Sequence, residues 1–253
     1  MRFAGAERPA HGHRSRRLAV ASALSAVALL FATPALSQRL PKDAEILDGF
    51  ETVIFGAELR GTFSDDSYLK RFAVPVRFRI ESKAKLDRAP AIRAFVRQMG
   101  RQIAHLDTGM AGREESANFV VHVVDRADYQ KVGREIYRNP FYRVPGNCIV
   151  RSVYGRGGIS RSDAILVSDE GEALFRRCLV EELLQGLGPL NDDADAAQSV
   201  FNDTSLLTSF GGYDRLILNM LYDRRLEPGM SRKAAEPLLP KILAETKRRL
   251  RLR

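Results

Sequence analysis

Segments with helical periodicity and segments with strand periodicity are mixed along this chain, which predicts an α+β fold: a mixed sheet packed on helices, with one helix, Gly171 to Leu187, at its centre. Three observations carry the prediction. Asp43 to Leu59 and Pro90 to Leu106 repeat apolar residues every three or four positions, as one-sided helices do. Lys70 to Ser82 alternates apolar and charged residues, while Asn118 to Val124, Asn147 to Tyr154 and Ser162 to Ser168 are short and rich in β-branched residues. The last of these ends just before the central helix. No internal repeat or low-complexity run appears.

The first 37 residues read as a targeting segment rather than part of the fold. Arg2, Arg8, Arg14, Arg16 and Arg17 form a basic start, Leu18 to Ala32 is apolar except for Ser22 and Ser25, and Ala35 and Ser37 have the spacing of a cleavage site. Cleavage is expected after Ser37, which leaves residues 38–253 as one domain in the periplasm or outside the cell. An uncleaved anchor is the alternative; the apolar run is short for a membrane span. Removing this segment takes away five Arg and one Glu. The remaining 35 basic and 30 acidic residues lower the formal charge from +9 to +5. That modest excess, concentrated in KRRLRLR at the end, argues against a nucleic-acid partner. Lys247, Arg248 and Arg249 fit the C-terminus of a helix, whose dipole favours cations.

Ile46, Leu47, Phe50, Val53, Ile54 and Ala57 form the apolar stripe of the first predicted helix, with Asp43 as a cap. In the first predicted strand, Phe72, Val74, Val76, Phe78 and Ile80 alternate with charged residues, and Pro75 suggests a sheet edge. Ile92, Phe95, Val96, Met99, Ile103 and Leu106 define the second helix. Asn118 to Val124 is a strand, and its lone His122 reads as a sheet-face residue rather than a ligand. Asp128 to Tyr137 is a short helix. Two strands follow, separated by a turn at Arg156-Gly157-Gly158, and then the central helix. Asp214 to Tyr222 is a further apolar helix, and Ser231 caps a final one that runs to the basic end.

The chain has two cysteines, Cys148 and Cys178. In an oxidising compartment one disulfide is expected. It would close a loop of roughly 30 residues and stabilise by about 3–4 kcal/mol on the chain-entropy account. The alternative is a pair of buried thiols.

The most informative stretch is Cys178 to Asp193, CLVEELLQGLGPLNDD. On a helix, Glu181 and Gln185 project from one face with Glu182 beside them. Gly188 and Pro189 then end the helix. This layout is similar to the zinc-peptidase motif H-E-x-x-H-x-x-G-x-x-H. Glu181, Gln185 and Asn191 stand at the three histidine positions, Glu182 keeps the glutamate, and Gly188 keeps the glycine. Asp192 and Asp193 lie next to the third position.

The chain also resembles the bacterial domain-of-unknown-function family 2927, exported or lipid-anchored proteins. The resemblance rests on FETVIFGAE from Phe50, RFAVPVRFRI, ANFVVHVVDRADY, the Cys before VEELLQGLGPLNDD, SVFND, and YDRLILNMLYD followed by PGMS. A more distant resemblance is to the zincin superfamily, particularly metzincin-like peptidases, and implies a zincin-like fold with an active-site-type central helix. It places Phe201 where those peptidases carry a methionine turn, and Asp214 to Tyr222 on their following helix. All three histidine ligands are replaced, so a three-histidine zinc site is not expected.

The expected role is therefore a degenerate pseudo-peptidase that binds an envelope protein or peptide, without a cofactor. The alternative is an atypical metal-dependent hydrolase. There Glu182 would be the general base, and Glu181, Gln185, Asn191 and Asp192 would offer oxygen donors to calcium, magnesium or manganese. A metal-free carboxylate pair ranks last, because adjacent residues diverge by about 100° around a helix.

Overall fold

The protein is described by a computed structural model over residues 40–56, 68–202 and 204–252. The targeting segment predicted for residues 1–37 lies outside the described residues. The first helix, α1, spans Asp43–Phe55 and buries Ile46, Phe50, Val53 and Ile54 as its sequence predicts. Lys42 rather than Asp43 precedes its first turn, and Glu45 accepts from the Lys42 backbone N–H at 3.0 Å.

Five strands build the sheet. Strand β1 (Val76–Ser82) leads to helix α2 (Ala89–Gln102), then to the short β2 (Thr108–Met110) and to β3 (Phe119–Val124). Helix α3 (Arg126–Tyr137) precedes a hairpin of β4 (Cys148–Gly155) and β5 (Gly158–Val167). The spatial order is β2-β1-β3-β5-β4. Parallel pairing joins β2, β1, β3 and β5, and β4 alone runs antiparallel to its neighbour. The sheet is thus mixed, as the sequence predicts.

One strand assignment is corrected. The alternation from Phe72 suggests a strand from Lys70, with Pro75 marking an edge, yet β1 begins only after Pro75 and has a neighbour on each side. Proline has no N–H to give a ladder, so the strand starts at Val76, whose N–H donates to the Asp107 carbonyl at 2.8 Å. Val74 is 58% exposed. Its place in the alternation is therefore fortuitous.

Helix α4 (Glu172–Gln185) follows β5, then α5 (Gly212–Leu221), α6 (Arg232–Ala235), a 3-10 turn (Glu236–Leu238) and α7 (Leu239–Leu250). The predicted single C-terminal helix is thus interrupted. Pro237 and Pro240 remove two backbone donors within four residues, and the chain tightens to 3-10 geometry between them. Ser231 caps α6 as predicted, accepting from the Ala234 N–H at 3.3 Å.

Burial alternates along the strands and separates two cores. Phe119, Val121, Val123, Ala164 and Leu166 pack with α1, α2, α4, α5 and α7. Val124, Ile165, Val167 and Ile149 point the other way, to Tyr129 and Val132 of α3. Phe78 stacks on Phe119 with ring centroids 4.5 Å apart, a contact worth about 1 kcal/mol beyond its buried area. No helix among the described residues is long and apolar enough to cross a membrane.

Candidate functional site

Helix α4 is held to the sheet at both ends. At its first half, Cys178 is bonded to Cys148 at the start of β4, so the predicted disulfide is present. At its C-terminal end, the Ser162 hydroxyl of β5 donates to the Gly186 carbonyl at 2.8 Å. A side chain at Gly186 would meet the Phe119 ring at 2.5 Å, so glycine lets the helix end rest directly on the sheet. Every residue from Cys178 to Gln185 is buried. This explains why the helix shows little one-sided periodicity.

The turn after α4 depends on Gly188, whose φ of +143° is open to glycine and strained for other residues. The Leu187 carbonyl accepts from the Tyr222 hydroxyl at 2.9 Å. Tyr222 stands just past α5 and is buried; its burial pushes the phenol pKa upward. At the other end of α5, Asp214 accepts from the Ser199 hydroxyl at 2.8 Å and the Val200 N–H at 3.2 Å. Burial pushes the Asp214 carboxyl up to about 6, and these donors oppose that shift. Phe201 completes the turn: fully buried, its carbonyl accepts from the Asp193 N–H at 2.7 Å. The two ends of α5 thereby fix both the turn after α4 and the loop that carries Asn191 to Asp193.

The predicted ligand positions are close in sequence but are bound up with neighbours. Arg177 donates to Glu181 at 3.1 Å, one helical turn away. The Gln185 amide donates to Asp192 at 2.9 Å, so these two positions do meet. The Asn191 amide donates to the Thr52 carbonyl of α1 at 3.2 Å and to the Asp192 carbonyl at 3.1 Å. The Asn191 side chain is thus directed to the end of α1, next to Gly56, where it would block any side chain. Glu182 is 4% exposed. Its carboxylate adds to the burial that raises the phenol pKa of Tyr129 and of Tyr137. That places its charge within electrostatic reach of α3.

Zinc requires three donors converging on one point in a tetrahedral arrangement. Here one position lies in an ion pair, one in an amide–carboxylate hydrogen bond, and one faces a backbone carbonyl on α1. Among the described residues no three His, Cys, Asp or Glu side chains are grouped as a metal site. The residues present do not fit the zinc centre that the motif implies.

A second polar cluster was not foreseen. His122 on β3 contacts Asp163 on β5 at 3.1 Å and Glu81 on β1 at 3.4 Å. Arg161 grips the same Asp163 with two bonds, of 2.7 and 2.6 Å. Burial alone would raise the Asp163 carboxyl; hydrogen bonds from His122 and Arg161 outweigh it and hold the pKa down at about 2. The signal in the sequence was the period-two spacing of Arg161 and Asp163 inside an otherwise buried strand. It becomes meaningful only once register places β3 and β4 beside it.

A family model described as "protein of unknown function (DUF2927)" matches residues 43–241. No curated protein and no solved structure matches the chain.

Proposed function

We propose a binding rather than a hydrolytic role for this chain, which belongs to the DUF2927 family of proteins of unknown function. In this proposal it is a zincin-like pseudo-peptidase, exported to the periplasm or beyond, whose partner is an envelope protein or peptide. The observation that carries it is the closure of the ligand-type positions on their neighbours: Glu181 on Arg177, Gln185 on Asp192, and Asn191 on the end of α1. A metallopeptidase helix holds these positions ready for a cation that polarises water. Here Glu181 pairs within α4, while Gln185 and Asn191 fasten α4, the loop after it and α1 together.

Three features support a zincin-like ancestry for the frame. The helix ends at a glycine turn, the following loop returns Asp192 to the helix, and α5 braces both through Asp214 and Tyr222. The disulfide is compatible with an oxidising, extracytoplasmic compartment.

The test is peptide hydrolysis by the intact protein and by Glu182→Gln across a peptide library. Binding without catalysis predicts no turnover in either. Turnover by the wild type that disappears in Glu182→Gln would establish the hydrolase alternative, with Glu182 as base.

A further inference from the structure

Helix α3 covers only part of its face of the sheet. Under the helix the strands present Val124, Ile165, Val167 and Ile149. Toward its C-terminal end they present His122, Asp163, Arg161 and Arg151, and a cavity of about 650 Å³ opens there. That size lies within the roughly 300–1,000 Å³ of small-molecule pockets. None of the α4 ligand-type residues lines it.

We infer that this cavity is a binding site for a small amphipathic anion, with a carboxylate or phosphate head held by Arg151 and Lys83 and an apolar part lying on α3.

Charge balance points to an anion. The lining carries four cations, Lys83, Arg138, Arg151 and Arg161, against three carboxylates, Glu81, Glu135 and Asp163. The internal pairs remove part of each set. Arg161 is committed to Asp163 through two bonds, and His122 lies between Asp163 and Glu81. Lys83, Arg138 and Arg151 then face two carboxylates, Glu135 and Glu81, and among the described residues none of the three cations is ion-paired. The cavity keeps an excess of positive charge even with His122 neutral.

Geometry gives this excess a place. Arg151 pairs across the hairpin with Asp163, so both project from the same face of adjacent strands. Its guanidinium sits 5.7 Å from the Tyr137 ring centroid, a contact that restrains a forked donor in the cavity lining. The other wall is apolar, from Val132 and Ile136 on α3 and from Val124 and Val153 on the strands. Eight of the twelve lining side chains are ionisable and four are apolar, so a ligand that fits both parts needs a charged head and an apolar body. A free inorganic anion would leave that wall unused.

Titration of the full-length protein with octanoate, octyl phosphate, octanol, octylamine and inorganic phosphate tests the assignment. Binding is read by calorimetry and by the imidazole resonances of His122, which lines the cavity. Octanoate or octyl phosphate is expected to bind and shift His122, and the tighter of the two identifies the head group. Arg151→Gln should weaken that binding about tenfold, as expected for loss of a charged hydrogen bond. Lys83→Gln should weaken it by a smaller factor, and Lys83→Arg should retain it. Lys83 is exposed, so its variants remain informative if Arg151→Gln fails to fold. Three results would overturn the inference. Octanol or octylamine could bind as tightly as the anions, inorganic phosphate could bind as tightly as octyl phosphate, or anion binding could be unaffected by both the Arg151 and the Lys83 substitutions.

Discussion

On α4 and the loop after it, three side chains at ligand-type positions meet partners of matching chemistry: Arg177 for Glu181, Asp192 for Gln185, the Thr52 carbonyl for Asn191. On the α3 face of the sheet, Asp163 is matched twice over, while the three cations Lys83, Arg138 and Arg151 face only two further carboxylates, Glu81 and Glu135. The first cluster has the spacing of an enzyme motif and is closed. The second has no motif and has charge to offer. Partner balance, more than motif likeness, indicates where a ligand gains free energy, because a group already hydrogen-bonded must give up that bond first.

The comparison can be broken most severely at Gly188. Alanine there would take a backbone angle of +143° and drive its Cβ into the Lys70 carbonyl. Strain and overpacking together should cost about 3–5 kcal/mol. Urea unfolding should show that loss, and the folded fraction should still bind the anion beside α3.

The disulfide is the next largest effect. Replacing both Cys148 and Cys178 by Ser should lower stability by about 3–4 kcal/mol, from the entropy of a loop with a sequence separation of 30. Unfolding of the reduced wild type should match it. A loss below about 1 kcal/mol would mean that the unfolded chain is already compact near these residues.

Asp163 sharpens the contrast through pH. Its folded pKa of about 2 lies below the ordinary 3.8, so its ionised form stabilises the fold. The contribution, about 2 kcal/mol, is fully present above pH 4 and is lost as pH falls from about 4 toward 2. The stability difference between wild type and Asp163→Asn should therefore shrink as pH falls from about 4 toward 2.

The smallest effect belongs to the pair on α4. A double-mutant cycle on Arg177→Ala and Glu181→Ala should give a coupling of about 1 kcal/mol, between surface and buried values, since Arg177 keeps 27% of its side-chain exposure. A coupling near zero would remove Glu181 from the set of closed positions.

Much of the fold was legible because its elements carry local signals. The stripe from Ile92 to Met99, the β-branched run at β3 and the Ser231 cap each state their structure within a few residues. Pro75 misled because a proline before a strand and a proline on an edge strand look alike without the neighbouring strands. The α4 site was legible as a spacing, and the Gln185–Asp192 contact follows from it. That Asn191 turns to α1 was not legible, since Thr52 lies 139 residues away and only tertiary packing brings it there. His122 read as an isolated sheet residue for the same reason. Its partners Glu81 and Asp163 come from two other strands, and pairing register alone assembles them.

The most direct test of the central claim is the metal content of the protein, purified without chelator. Closed ligand-type positions predict no stoichiometric divalent metal and no thermal shift on adding zinc, calcium, magnesium or manganese. One equivalent of a divalent metal, lost in Glu181→Ala, would contradict the claim and return α4 to the metal-dependent hydrolases.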